Sequence, residues 1–392
     1  MINLKRKSIV QSYLRDAGVS GWLAWRPDEL VMLLGYQPHW GTSLCFFPYK
    51  GDPVLFVPTL EPKETLPNDV ETVQYDWGLM SCSDPLAMLE DLIHTYIRNK
   101  NLDMLPISYV RSSSHSAPGT SPAEHPPFDP QVQNLFEGLG QSVQHLDDKL
   151  LALYTIKTPE EIERIRLANH VADHGLAVFF DNLREGIREA SLAAEIERAI
   201  HSRTGAQGIS YARAWAHVQS GPNSANAGRY NRSSGRTLTN GDMVTVELAT
   251  CVNGYWSDLT RTGYVGEPDP AAKQLWSIVA EAQAAARKQV KAGIRMSEID
   301  QTARTIIEDA GYGKLFTHAT GHHTGFRYHD PGPTLAPGIN DILKEGMIVT
   351  VEPGVYDPAA AMGCRIEDNL CVTAGGSDCL STAARDLHGK QV

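Results

Sequence analysis

Apolar positions along the chain recur in two rhythms, one of about 3.6 residues and one of two. Residues 4–17 carry the helical spacing, and Gly21-Trp-Leu-Ala-Trp25 reads as a buried strand. Ser43-Leu-Cys-Phe-Phe47 and Pro53-Val-Leu-Phe-Val57 flank Tyr49-Lys-Gly-Asp52, a hairpin signal. Residues 84–98 suit a helix, and the Ser-, Pro- and Gly-rich stretch 111–127 suits an exposed loop. Near residue 150 the pattern restarts. Thr158-Pro-Glu-Glu161 is a capping box with Pro at the first helical position. The helix it opens, to about Asn182, sets Ile162, Ile165, Leu167, Val171, Leu176 and Val178 among charges. The pattern then predicts a helix at 189–203, strands at 213–219, 243–250 and 255–264, helices at 270–291 and 297–310, and strands near 347–352 and 364–373. Helices over a mainly antiparallel sheet define an α+β domain. The expectation is therefore a smaller α/β domain over 1–150 and an α+β domain over 151–392.

Length agrees with that division, since 392 residues favour two domains over one. A formal net charge of −11, with no Lys/Arg-rich block, argues against a nucleic-acid partner or an anionic membrane surface. The N-terminus, Met1-Ile-Asn-Leu-Lys-Arg-Lys-Ser8, has basic residues but no apolar core after them, so it does not read as a signal peptide. No stretch approaches the roughly 18 apolar residues of a membrane span. The cysteines at 45, 82, 251, 364, 371 and 379 form no Cys-x-x-Cys pair and read as reduced, hence a cytoplasmic protein.

Chemistry concentrates in the second half. In Val244-Thr-Val-Glu247 through Asn253-Gly254 to Asp258, Asn-Gly between two strand-like runs signals a two-residue hairpin turn. That turn sets Asp258 opposite Ala249 and makes Glu247 and Asp258 diagonal neighbours on one face, roughly 7–8 Å apart at the backbone. Two carboxylates so placed can hold a cation; an exposed hairpin with a polar wet face is the plainer reading. Phe316-Thr-His318-Ala-Thr-Gly-His322-His323 runs on to His329-Asp330, with His318, His322, His323 and His329 inside twelve residues. Such a cluster suits a metal ligand with separate imidazoles for proton transfer, or else a His-rich surface loop. Glu352 ends the apolar strand of Met347-Ile-Val-Thr-Val351, and Glu367 stands beside Arg365 and Asp368 at the start of another. A carboxylate at such a place needs a partner, either a salt-bridged rim or a cation. Four carboxylates with one imidazole suit two divalent ions and hydrolysis by a metal-activated water. In the first half, His39 and Trp40 beside Gly41 read either as pocket lining or as a packed aromatic at a turn.

These segments together resemble the pita-bread metallohydrolases: prolidase, aminopeptidase P, methionine aminopeptidase and creatinase. The resemblance covers residues 150–392 and rests on the order Glu247, Asp258, His322, Glu352, Glu367, on Gly-His322 followed by His329-Asp330, and on Val351-Glu-Pro-Gly-Val-Tyr356 and Arg365-Ile-Glu-Asp368. With a domain of about 150 residues in front, it points to the prolidase, aminopeptidase P and creatinase branch. It implies two divalent ions per subunit, Mn²⁺ first and otherwise Zn²⁺, Co²⁺ or Fe²⁺. Glu247 and Asp258 would hold one, His322 and Glu352 the other, with Asp258 and Glu367 bridging. Glu352 would take the proton of the attacking water, while His318 and His329 orient the substrate and stabilise its tetrahedral intermediate. Arg365, Arg229 and Tyr230 are further candidates for binding substrate. The resemblance also implies a homodimer acting on small peptides, cleaving Xaa-Pro bonds as an aminopeptidase or dipeptidase.

Two departures from the peptidase pattern keep other readings open. Position 247 is Glu where the peptidases have Asp, which moves the carboxylate by about a bond length. The His that the peptidases carry shortly after Ser-Gly-x-Asn is absent; after Ser220-Gly-Pro-Asn223, Gly228, Arg229 or Tyr230 takes its place. A creatinase-like hydrolase of a small non-peptide C–N bond is the alternative within enzymes, and a non-catalytic pita-bread binding module is the alternative outside them.

Overall fold

The protein is described here by a computed structural model covering residues 3–77, 84–102, 104–110, 130–139, 142–206 and 208–389. The expected loop at 111–127, and Cys82, lie outside the described residues. The chain divides into two compact units, the first ending at Tyr154 and the second running on from Thr155.

In the first unit, α1 (Leu4–Ala17) starts where the Asn3 side chain accepts the Arg6 N–H and stops at Gly18, whose φ of 69° is the left-handed cap. Then come β1 (Gly21–Ala24), α2 (Pro27–Leu34), β2 (Leu44–Pro48), β3 (Val54–Pro58), β4 (Glu71–Tyr75), α3 (Pro85–Asn99), β5 (Ile107–Ser108), α4 (Pro130–Gly138) and α5 (Asp147–Ala152). The sheet order is β4-β3-β2-β1-β5, with β2 antiparallel to both neighbours and the two outer pairings parallel. Leu89, Ile93 and Ile97, one helical turn apart on α3, pack with Leu23, Phe46 and Phe56. Helix α2 was not read from the sequence: Leu30-Val-Met-Leu-Leu34 is apolar throughout and buried throughout, so it carries no period. His39 and Trp40 donate their backbone N–H groups to the buried Glu61 carboxylate, and Trp40 stays exposed.

The second unit opens with α6 (Pro159–Asn182), in which Thr158 and Glu161 form the reciprocal cap that the sequence predicts. Next are α7 (Glu189–His201), β6 (Ala212–Ser220), β7 (Met243–Val252), β8 (Tyr255–Tyr264), α8 (Pro270–Gln289), α9 (Met296–Asp309), β9 (Ile348–Val351), β10 (Gly354–Asp357), β11 (Met362–Arg365), β12 (Asp368–Val372) and β13 (Ser377–Cys379). Three antiparallel groups result: β6-β7-β8, β13-β12-β9 and β10-β11. Helices α6 and α7 share one apolar core with β6, β7 and β8, while α8 and α9 share another with β9 to β12. This is the α+β architecture expected of the second domain.

Register places the acids. Asn253 and Gly254 take positive φ, 52° and 87°, so the two-residue turn forms and sets Asp258 opposite Ala249 and Glu247 opposite Thr260. Asp368 pairs with Val351 in the β9–β12 ladder, so Glu367 and Glu352, one residue beyond, leave the same end of it. Pro353-Gly354 follows directly on Glu352, where the sequence expects the apolar strand to end. It ends β9, but the chain turns directly into β10, which pairs with β11. Pro353 has no N–H for a ladder, so the strand breaks there and Glu352 is left at the corner.

Arg261 ties β8 to β12. It is fully buried and donates to the carbonyls of Thr260 (2.8 Å), Glu367 (2.5 Å), Ala383 (3.2 Å) and Ala384 (2.7 Å) and to Asp368 Oδ1 (2.9 Å). Its five N–H groups are thus all used. Removing one member of a buried, hydrogen-bonded ion pair costs about 3–5 kcal/mol. Arg261→Met is therefore expected to lower the unfolding midpoint markedly, by about that much stability; a denaturation curve overlaying the wild type would refute this account.

Candidate metal centre

Five elements bring their side chains to one point. Glu247 comes from β7, Asp258 and Thr260 from β8, His322 and His329 from the loop before β9, Glu352 from the end of β9, and Glu367 from the start of β12. Glu352 N–H donates to Thr320 O (2.8 Å), and Thr350 N–H to His322 O (2.8 Å), so the loop runs alongside β9. Glu367 N–H donates to Thr260 O (3.1 Å), which joins the two sheets at the site.

Protons decide what this cluster can do. His322 Nδ1 lies 2.9 Å from His323 O. A carbonyl only accepts, so Nδ1 carries the proton and Nε2 presents a lone pair. That lone pair faces Asp258 Oδ2 at 3.2 Å and Glu352 Oε1 at 3.4 Å. Both Asp258 oxygens and Glu367 Oε1 are buried and accept no hydrogen bond. Lone pairs turned on one another in a buried place call for a cation. Donor atoms of Glu247, Asp258 and Glu367 lie within 4.8 Å of one another, as do those of His322, Glu352 and Glu367, and of Asp258, His322 and His329. One imidazole with several carboxylate oxygens suits a borderline or hard divalent ion, so the residues present fit the metals implied by the sequence.

Glu247 is the best-compensated acid. Tyr328 donates to its Oε1, while Thr260 and Arg365 donate to its Oε2. Burial pushes its carboxyl up, but the Arg365 charge and the two hydroxyls outweigh that and hold it at about 2. Asp258 is driven well above the usual carboxylate range by burial and then by Glu367, Glu247 and Glu352. Glu367 moves the same way, again through burial and then Glu247 and Glu352. Thr260 has one hydroxyl proton for both Glu247 and Glu367, 2.8 Å from Glu367 Oε2, and serves one at a time. Burial raises Glu352 to about 7. His322 is pushed well below its ordinary value by burial and then by His329, and His318 to about 4 by burial and then Arg365.

Above the acids lies a cavity of about 730 Å³, within the range of small-molecule sites. Glu247, His318, His322, His329, Glu352, Arg365 and Tyr230 line it, together with the apolar Ala227, Phe316, Ala336 and Pro337. Arg229 does not: it is exposed, with Nη1 2.9 Å from Asn223 Oδ1. Gly228 lies on the cavity wall, where a Cβ would come within 3.3 Å of Asn226 Oδ1. Tyr356, Tyr328 and Thr260 belong to the site but were not singled out in the sequence. Arg365 Nη1 donates to Tyr356 Oη (2.6 Å), which lies 2.9 Å from His318 Nε2. His318 Nδ1 is 2.8 Å from Ala319 O and so carries the proton; Tyr356 then donates to Nε2, and Arg365, Tyr356 and His318 form one directed chain. Thr260 could have been found from the hairpin register, which sets it opposite Glu247. Tyr328 and Tyr356 gave no signal beyond lying inside the quoted motifs.

A fold with this centre is that of a metal-dependent hydrolase. Residues 163–374 match the model of metallopeptidase family M24, and the chain belongs to that family as a metallopeptidase. It is 36% identical to the Xaa-Pro dipeptidase of Pyrococcus furiosus over 242 residues, 62% of this chain and 67% of that one. It is 29% identical to the Xaa-Pro dipeptidase of Lactobacillus helveticus over 388 residues, 96% of this chain and 97% of that one. The solved prolidase from Thermococcus sibiricus matches it with a TM-score of 0.78 at 29% identity, covering 99% of both chains.

The charges predict a pH response. Carboxyls whose pKa is raised by folding bind more protons folded than unfolded, so stability falls as pH rises through their folded values. The buried imidazoles act oppositely, since they are neutral when folded and protonated when unfolded below about pH 6.5. Above that pH the carboxyls dominate, Glu352 near 7 and Asp258 and Glu367 higher than normal. The metal-free protein should therefore lose thermal stability as pH rises from about 6.5 through about 7, where Glu352 ionises, and saturating Mn²⁺ should abolish that loss. A metal-free midpoint that holds or rises over this range contradicts the assignment.

Proposed function

We propose that this protein hydrolyses Xaa-Pro peptides, as a dipeptidase or aminopeptidase using two divalent ions per subunit, Mn²⁺ foremost. The observation that carries the reading is the His322 Nε2 lone pair facing Asp258 and Glu352 beside the unpartnered oxygens of Asp258 and Glu367. Glu247, Asp258 and Glu367 would hold one ion; His322, Glu352 and Glu367 would hold the other, with Asp258 beside both. When bound, such ions lower the pKa of water toward neutrality and polarise a carbonyl oxygen.

The chain's own residues do the rest. Glu352, a carboxylate on the cavity wall beside His322, is placed to take a proton from the attacking water and return it to the leaving nitrogen. His318 and His329 stand on the cavity side of the acids, where they orient the scissile carbonyl and support the charge that develops on it. Arg365 keeps Glu247 ionised and, through Tyr356, fixes the His318 ring. The apolar wall of Phe316, Ala336 and Pro337 suits a pyrrolidine ring, and the Xaa-Pro dipeptidases similar to this chain support that substrate class. The same reading takes the protein as a cytoplasmic homodimer. Gly228, which lines the cavity without a side chain or imidazole of its own, favours a second reading, a creatinase-like hydrolase of a small non-peptide C–N bond.

Purified protein reconstituted with Mn²⁺, Zn²⁺ or Co²⁺ is expected to bind two ions per chain and to turn over Xaa-Pro dipeptides or longer Xaa-Pro peptides. Fewer than one ion per chain overturns the dinuclear site. Full metal with no turnover across the panel favours the small C–N substrate instead. Glu367→Ala should abolish turnover with the fold intact, and retained turnover would refute its bridging place.

A further inference from the structure

Lys157 and Asp330 form an ion pair that the chemistry above does not use. Lys157 Nζ lies 2.8 Å from Asp330 Oδ2, and both side chains are wholly excluded from solvent. Neither lines the cavity or belongs to a group of ligand-like atoms. A buried pair is often no more stabilising than apolar residues of similar volume, so stability alone does not account for it.

Its connections are to the site. Lys157 N–H donates to Gly346 O (2.8 Å), and Ile156 bridges Met347, so the lysine backbone is fastened to the segment that leads into β9 and Glu352. The approach is tight: a Cβ at Gly346, where φ is 83°, would lie 2.8 Å from Lys157 O. The lysine side chain reaches the other way, past Gly325 and 5.6 Å from the centre of the Phe326 ring, to Asp330. Asp330 then closes the loop on itself. Its Oδ1 accepts Arg327 N–H (2.8 Å), its Oδ2 accepts Phe326 N–H (3.3 Å), and its own N–H donates to His323 O (2.8 Å). The closed segment carries His322 at one end and His329 at the other, their rings 4.2 Å apart.

We propose that Lys157 is a positioning residue: through Asp330 it sets the spacing of His322 and His329 and their placement against the strand that carries Glu352. The inference rests on the roles assigned to those residues above. Outer partners that orient ligands typically change metal affinity or activity about 10–100-fold when removed.

The test uses the full chain with Mn²⁺, measuring kcat and KM on an Xaa-Pro dipeptide, Mn²⁺ affinity by calorimetry, and the thermal midpoint. Lys157→Met leaves Asp330 buried without its ammonium partner. The double variant Lys157→Met/Asp330→Asn removes both charges and keeps an acceptor for Arg327 N–H. The double variant is expected to keep a midpoint near wild type while kcat falls about tenfold or more, KM changes little and Mn²⁺ binds about tenfold more weakly. Lys157→Arg should recover a substantial part of the kcat lost in Lys157→Met. Wild-type kcat and Mn²⁺ affinity in the double variant, or activity that merely follows the midpoint across all three variants, overturns the proposal. His329→Ala separates the two levels: full activity there removes the role given to His329, whereas loss there with a wild-type double variant removes only the role given to Lys157.

Discussion

Glu247, Asp258, Glu352 and Glu367 are drawn out of water around one guanidinium, that of Arg365. Two like charges about 4 Å apart in protein surroundings repel by on the order of 4 kcal/mol. Arg365 meets that cost for Glu247, which it touches directly, and less for the others; Asp258 and Glu367 accordingly sit far above their ordinary carboxylate range. The rest of the second unit follows from this concentration of charge. It needs strands stiff enough to hold the acids together, a His loop whose tautomer turns a lone pair inward, and divalent cations to complete it.

The fold meets that need with two ladders and one crossing residue. The Asn253-Gly254 turn sets Glu247 and Asp258 diagonally on β7 and β8, and the β9–β12 register brings Glu352 and Glu367 off one end. Arg261, with all its donors spent on backbone carbonyls and Asp368, fastens β8 to β12. Thr260 stands at the junction, its hydroxyl between Glu247 and Glu367. The ion pair of Lys157 and Asp330 completes the frame from the His-loop side. Each of these is a polar group buried at a cost and satisfied by partners distant in sequence. A centre that binds ions selectively requires such rigidity, because its ligands must already be in place when the cation arrives.

Much of this was legible in the chain. Thr158-Pro-Glu-Glu161 and Asn253-Gly254 act through their own backbone, so the start of α6 and the register of β7 and β8 could be read locally. The acids and His322 could be named because their residue types and order resemble a known family. Other features were not legible. Helix α2 is apolar on every side, so no period marks it. Strand β10 is four residues bounded by Pro353-Gly354, too short for an alternation to show. Arg229 looked like a pocket residue beside Tyr230 but turns outward to Asn223, since which side of a short 3₁₀ turn faces the cavity depends on what packs against it.

The sequence by itself determined the α+β architecture of the second half and the placement of Glu247 and Asp258 on one hairpin, because turn chemistry and strand alternation are local properties; the set of five acid and imidazole side chains came from the family resemblance. Only the tertiary structure decided the rest. It set which acid Arg365 neutralises, which His322 nitrogen faces the carboxylates, and how Tyr328, Tyr356 and Thr260 enter the site. It also tied Lys157 to Asp330, 173 positions away. These depend on distances between segments remote in sequence, and charge and hydrogen bonding act through those distances and not through order along the chain.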